Sequence, residues 1–287
     1  MKQIYEEVWE ELALKHVAAM DKLQIPVESE NPINRTAIRA CLVPFRNNSL
    51  VENGLHMMRA GIRMVQLTEI LGFKNGYWRN VLFAANSIHD VIKGYPVEGF
   101  NPYTFDAWKS FDEERDMPVV RRHVLVDEYP LPDLGQDVKQ IIGGHYEPSS
   151  KPYSGNKKES TPEQKTAIQL TTLIDCFDAL NSRRRKSKDV LVDRCFLLDS
   201  ETVKKNLIAA HGEMQISYSG AAFPTIMMSG KQVIEMCYEN GVFREDMLPA
   251  GIWPIYKSNA QIFNYTPLKS LKNLAIEIVF RNRLNPF

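Results

Sequence analysis

Residues 87–96 read SIHDVIKGYP. They close a segment, 78–93, that is apolar nearly all round, as expected of a helix in the middle of a bundle. Yet the segment ends in a histidine, an aspartate and, three positions on, a lysine. These are either three ordinary groups near a surface or a metal- and phosphate-binding turn of helix, and partners elsewhere in the chain separate the two readings. Gly94-Tyr95-Pro96 then reads as a helix stop opening a long excursion over 94–117, rich in Gly, Pro, Asn and aromatics, with a short helix near 104–115.

Helical patterns extend on both sides. Upstream, residues 3–24 carry one apolar stripe (Ile4, Val8, Leu12, Leu14, Val17, Met20, Leu23), broken by Pro26 and Pro32. Residues 50–72 are a longer helix with Leu55, Met58, Ile62, Met64, Val65, Leu67 and Ile70 on the buried side and Gly72 as its stop. Downstream, helices are expected over 118–127, 134–144 and 162–182, separated by YPLPDLG and EPSSKPYSGNKKESTPEQ. Beyond about 195 the texture changes. A helix over 201–211, a strand in EMQISYSG, a helix over 229–240 and NLAIEIVF, a strand or a buried helix, make 196–287 an appended α or α+β region. The expected architecture is an all-α bundle over 50–195, preceded by a helical extension over 1–49.

The bulk numbers restrict the partners. The 287 residues are 44% hydrophobic and 24% charged, and Lys+Arg and Asp+Glu both number 35. A net charge of zero gives no field to draw in duplex nucleic acid, so an anionic ligand needs a local cluster. MKQIYEEVWEELALKH is acidic and amphipathic rather than a signal sequence, and no run approaches the ~18 apolar residues of a membrane span. Cys41, Cys176, Cys195 and Cys237 form no CxxC pair, which argues against a zinc ribbon or a disulfide framework. A reducing cytoplasm is the expected location.

Only six histidines are present, and four stand in helical segments beside carboxylates: Glu52-x-x-x-His56, His89-Asp90, His123 and His145-Tyr-Glu147. The i,i+4 spacing puts Glu52 and His56 on one helix face, within reach of one metal or two adjacent ones. Bundles build metal sites from such inward ligands, one or two per helix. Asp175 lies inside the otherwise apolar LIDCFDAL; a buried carboxylate costs several kcal/mol unless partnered, and a metal is one such partner. His16 and His211 read as packed or surface histidines.

The order Glu-xxx-His, His-Asp-x-x-Lys, His, His-x-Glu and Asp-x-Phe-Asp-Ala-Leu, spread over about 50–190, resembles the HD-domain metal-dependent phosphohydrolases. It is most similar to the HD-GYP phosphodiesterases, which cleave cyclic dinucleotides, and IDCFDALNSRRR is its most specific piece. The resemblance implies an HD helical bundle in which His56, His89, Asp90 and Asp175 are the shared metal ligands. His123 and His145 fall on the ligands of a second metal, and Glu52 on the acid associated with a third. Lys93 falls on the lysine that faces the scissile phosphate, and Arg184 on an arginine after the Asp-Ala-Leu segment. Two departures stand out: His145-Tyr146-Glu147 replaces His-His-Glu, and Lys151-Pro152-Tyr153-Ser154-Gly155 stands where the family has its Gly-Tyr-Pro.

The residue types suit that chemistry. Imidazole and carboxylate ligands accept Fe, Mn, Co, Ni or Zn without sharp selection. Two divalent transition metals bridged by Asp90 would give hydroxide near neutral pH and hold phosphoryl oxygens for in-line attack, with Lys93 neutralising developing charge. Arg183, Arg184, Arg185, Lys186 and Lys188 form a positive patch, or equally a solvated run at a helix C-terminus. Tyr95, Tyr103, Phe105, Trp108 and Tyr153 either stack on bases or pack within their loops. Tyr146 is a weak ligand, a donor to substrate or a sign of a looser second metal, and Glu52 is otherwise a capping acid. Asp178 is expected to face away from Asp175 and make a structural bond, and Glu147 to support the neighbouring ligand.

The expected activity is hydrolysis of a cyclic dinucleotide, cyclic di-GMP or a relative. An HD phosphohydrolase of another nucleotide or phosphate ester, and a nucleotide-binding signalling protein without turnover, are the alternatives. A homodimer or protein contact through 196–287 is left open.

Overall fold

A computed structural model describes residues 33–34, 37, 51–74, 76–94, 122–126, 135–148, 154–181, 200–244 and 248. The helix expected over 3–24, most of the 94–117 excursion with its aromatics, the basic run 183–188 and NLAIEIVF lie outside these residues. So do Tyr153 and Arg184, as does the side chain of Glu52.

The first two helices form the centre of the bundle. Helix α1 (Val51–Ile70) buries apolar side chains on most of its circumference, among them Met57, Ile62, Met64 and Leu67. It stops at Gly72, whose φ of 77° supplies the left-handed residue of a Schellman cap, with Phe73 N donating to Thr68 O at 2.9 Å. Helix α2 (Gly76–Ile88) packs against it at Gly61. A Cβ at Gly61 would lie 2.2 Å from Ser87 Oγ and 3.2 Å from Phe83 Cε2.

The helix expected over 78–93 ends at Ile88. His89 and Asp90 form the break, and Val91–Gly94 is a single 3-10 turn closed by Lys93 N to Asp90 O at 3.0 Å. The expected helix over 118–127 likewise reduces, in its described part, to a 3-10 turn, Arg122–Val124. Both differences have one cause: a 3-10 turn is short and apolar periodicity does not register it.

Helix α3 (Gln136–Gly144) is followed by α4 (Pro162–Asn181), which opens on a capping box. Thr161 Oγ1 accepts from Gln164 N at 3.2 Å, Gln164 Oε1 accepts from Thr161 N at 2.9 Å, and Pro162 takes the first helical position. Helix α4 is the hub of the molecule, touching α1, α2, α3, the next helix α5 (Ser200–His211) and the strand that follows it.

That strand, β1 (Gln215–Tyr218), pairs antiparallel with β2 (Ile226–Ser229), Tyr218 opposite Ile226. Only the first strand was expected from sequence, because the Met-Met pair and short length of β2 give it little strand character. Ser229 and Gln232 then form a reciprocal capping box opening α6 (Gly230–Glu239). The described residues are thus mostly helical, with one small sheet. Val203, Leu207, Ile216, Ile234 and Phe243 of this C-terminal unit belong to the same buried cluster as Met57, Leu82 and Phe177. Among the described residues no helix is long and apolar enough to cross a membrane.

Candidate metal centre

The six ligand candidates come from five places in the fold. His56 lies in the second turn of α1, His89 and Asp90 at the break after α2, His123 in the 3-10 turn, His145 just past α3, and Asp175 in α4. All six are buried. The bundle brings them together: Nε2 of His56 lies 3.0 Å from Nε2 of His89. Oδ1 of Asp175 is 3.0 Å from the first and 3.2 Å from the second. Asp90 Oδ2 is 3.9 Å from both of these nitrogens, and Asp90 Oδ1 is 3.3 Å from His123 Nε2. Nε2 of His145 lies 4.0 Å from Asp175 Oδ2 and has no hydrogen bond.

At His56, His89 and His145 the opposite edge of the ring fixes the tautomer. Nδ1 of His89 faces the Asn86 carbonyl at 2.8 Å, and Nδ1 of His145 faces the Ile142 carbonyl at 2.6 Å. Nδ1 of His56 meets Asp178 Oδ2 at 2.9 Å. Carbonyl and carboxylate oxygens only accept, so each Nδ1 donates and each neutral ring offers a lone pair at Nε2.

Three lone-pair atoms at mutual distances of 3.0, 3.0 and 3.2 Å repel one another unless something positive lies among them. An octahedral cation with bonds of about 2.1 Å holds adjacent ligand atoms about 3.0 Å apart, so this triangle fits one face of such a cation. A second group, His89, Asp90 and His145, has ligand atoms within 4.8 Å of one another. The donor set therefore fits a divalent metal in charge, geometry and chemistry.

The electrostatics agree. Burial opposes a charge on His89, but Asp90 and Asp175 outweigh it and raise its pKa. Burial together with the charge of His89 lowers His145 to about 4, which leaves its ring neutral. Burial would raise both ligand carboxylates. Lys93, His89 and His123 overcome it at Asp90, and His89 and His56 at Asp175, so both are ionised.

Lys93 Nζ is 2.5 Å from Asp90 Oδ2 and half-buried. Tyr146 packs its ring on His145, with centroids 4.4 Å apart, and edge-on to His123 at 5.3 Å. Glu147 makes no bond to His145. It is exposed, and it accepts from Ser154 Oγ at 2.7 Å and Asn156 Nδ2 at 3.2 Å, pinning the loop that follows α3. Ser154 and Gly155, the described end of the KPYSG stretch, both bond Gly143 O. His211 is packed and buried, and burial lowers its pKa.

Sequence reasoning missed the layer behind His56. Asp178, three residues after Asp175, makes the structural bond expected of it, but its partners are His56 and two arginines. Arg59 donates to it from Nη2 at 2.7 Å and from Nε at 3.0 Å, and Arg63 donates from Nη1. Both guanidiniums are fully buried. Burial would raise Asp178, and Arg59 and Arg63 hold it well below the usual carboxylate range. The signal was present, since His56, Arg59 and Arg63 stand at i, i+3 and i+7, one face of a helix that is otherwise apolar.

Compared with models of known protein families, with curated proteins and with solved structures, the chain gives no match. Its class rests on its own geometry: a mostly helical protein with a buried His/Asp cluster that could hold a metal ion.

Proposed function

We propose that the chain is a metal-dependent phosphohydrolase of the HD type, acting as a phosphodiesterase on a cyclic dinucleotide. The observation that carries the reading is the convergence of Nε2 of His56, Nε2 of His89 and Oδ1 of Asp175 within 3.2 Å, with the His56 and His89 rings turned by acceptors at Nδ1. The order of these residues along the chain, which resembles that of HD-GYP enzymes, supports it further.

In this reading His56, His89, Asp90 and Asp175 would hold one divalent transition metal, and His123 and His145 would join them in holding a second. Bound metals of this kind supply Lewis acidity toward water and phosphoryl oxygens. Asp90 anchors Lys93, whose ammonium stands beside the cluster where a phosphate would accumulate charge. His145, held neutral, adds no positive charge of its own. Arg184 and Tyr153 complete the substrate contacts that the resemblance implies.

Metal analysis by mass spectrometry on protein purified without chelator, with product analysis over a panel of cyclic dinucleotides in Mn(II) or Fe(II), tests the proposal. Linear dinucleotide or mononucleotide products that disappear in His89→Ala are expected. Intact cyclic dinucleotides beside turnover of another phosphate ester would move the substrate. That second reading is favoured by Tyr146, whose phenol ring packs on His145 where the HD-GYP pattern has a further histidine.

A further inference from the structure

Arg63 divides its donors between two parts of the molecule. From α1 its Nη1 donates to Asp178 Oδ1, and the other oxygen of that carboxylate accepts from His56 Nδ1 at 2.9 Å. Its Nε donates to the Val242 carbonyl at 3.2 Å, just beyond α6. The guanidinium carbon also sits 4.8 Å from the centroid of Phe177, and Phe243 stacks on that same ring at 3.7 Å and 9°. Val242 and Phe243 are buried.

We infer that residues 200–244 hold His56 in the tautomer that offers Nε2, and that Arg63 is the positioning residue through which they act. The inference rests on reading the His/Asp cluster as a metal centre. A guanidinium is a rigid planar fork, so fixing Nε at Val242 O fixes the direction of Nη1. With Arg63 in place, Asp178 Oδ1 accepts from Arg63 Nη1 and Arg59 Nε, and Oδ2 accepts from His56 Nδ1 and from Nη2 and Nε of Arg59. With Arg63 displaced, the carboxylate turns toward the paired donors of Arg59, and the bond that orients His56 lengthens. The C-terminal unit is on this account part of the site's support, and metal binding and its docking favour each other reciprocally.

Long-range ¹H–¹⁵N correlation of the histidine side chains in the metal-free protein, with calorimetric titration of Mn(II), tests this. The variants are Arg63→Lys, which keeps the charge but cannot span both acceptors, Phe243→Leu, which keeps the burial, and Met227→Ala, a change at a side chain 69% exposed in the same unit. The expected result is one Nδ1–H tautomer for His56 in the wild type and in Met227→Ala, and a mixture in the other two variants. Mn(II) affinity is expected to fall about tenfold in Arg63→Lys, the lower end of the range for residues that orient ligands. Variants that unfold cooperatively like the wild type, yet keep its His56 signal and its affinity within about twofold, overturn the inference. Wild-type protein that takes up no Mn(II) would remove the metal reading. The His56 signal in Arg63→Lys would then decide the positioning role alone, a mixture supporting it and an unchanged signal ending it.

Discussion

His56 and His89 meet Nε2 to Nε2 at 3.0 Å, each with its Nδ1 already committed, one to Asp178 and the other to the Asn86 carbonyl. When neutral, the two rings in these tautomers direct lone pairs at each other across a gap that Asp175 closes from a third side. A cation among them removes the repulsion. Adding Mn(II) at about 100 times its dissociation constant should therefore stabilise the fold by about 2.7 kcal/mol. A thermal melt with and without chelator reads this directly, and a melting point indifferent to Mn(II) would count against the centre.

Asp178→Asn should destabilise by about 3–5 kcal/mol, because it leaves Arg59 and Arg63 buried without their carboxylate. Urea unfolding of the metal-free protein measures it. A loss below about 1 kcal/mol would mean that the arginines are satisfied elsewhere.

A methyl group at Gly155 would lie 1.9 Å from Val124 O and 2.4 Å from its carbonyl carbon, backbone atoms next to His123. Gly155→Ala should cost about 1–3 kcal/mol through forced backbone movement and should weaken metal uptake by displacing the His123 turn. Gly72→Ala, where the φ is 77° and nothing lies within 4 Å of the added atom, should cost about 1 kcal/mol and leave uptake unchanged. Calorimetry on both variants distinguishes the two effects.

Tyr77 provides a pH probe away from the metal ligands. Partial burial raises its pKa, and its bond to Asp137 raises it further, to about 12. A raised folded value means that the stabilisation is fully present below pH 10 and is lost as pH rises from about 10 to about 12. Spectrophotometric titration of wild type against Tyr77→Phe should place this tyrosine near the top of that window. Asp137→Asn should bring it partway down, since burial remains.

Much of the scaffold was legible in the chain because its signals are local. Thr161-Pro162-Glu163-Gln164 opens a helix by its own hydrogen bonds, and Gly72 closes one through a conformation that side chains disfavour. Apolar spacing over 50–72, 134–144 and 162–182 predicts helices that form within two residues of those limits. The ligand candidates were visible too, as His and Asp residues in otherwise apolar segments.

Other features were decided by residues far apart in the chain. The 3.0 Å approach of His56 to His89 needs α1 and α2 in contact at Gly61, and Asp175 reaches both only because α4 crosses the bundle. Arg59 and Arg63 resemble solvated cations in sequence; burial beside Asp178, more than a hundred residues later, makes them structural. The residue types by themselves determined which side chains could serve as metal ligands, because ligand character belongs to the side chain. Only tertiary packing decided which atoms share a centre and which carboxylate stands behind it, because a short element such as Arg122–Val124 or β2 has no periodicity of its own and is fixed by what packs against it.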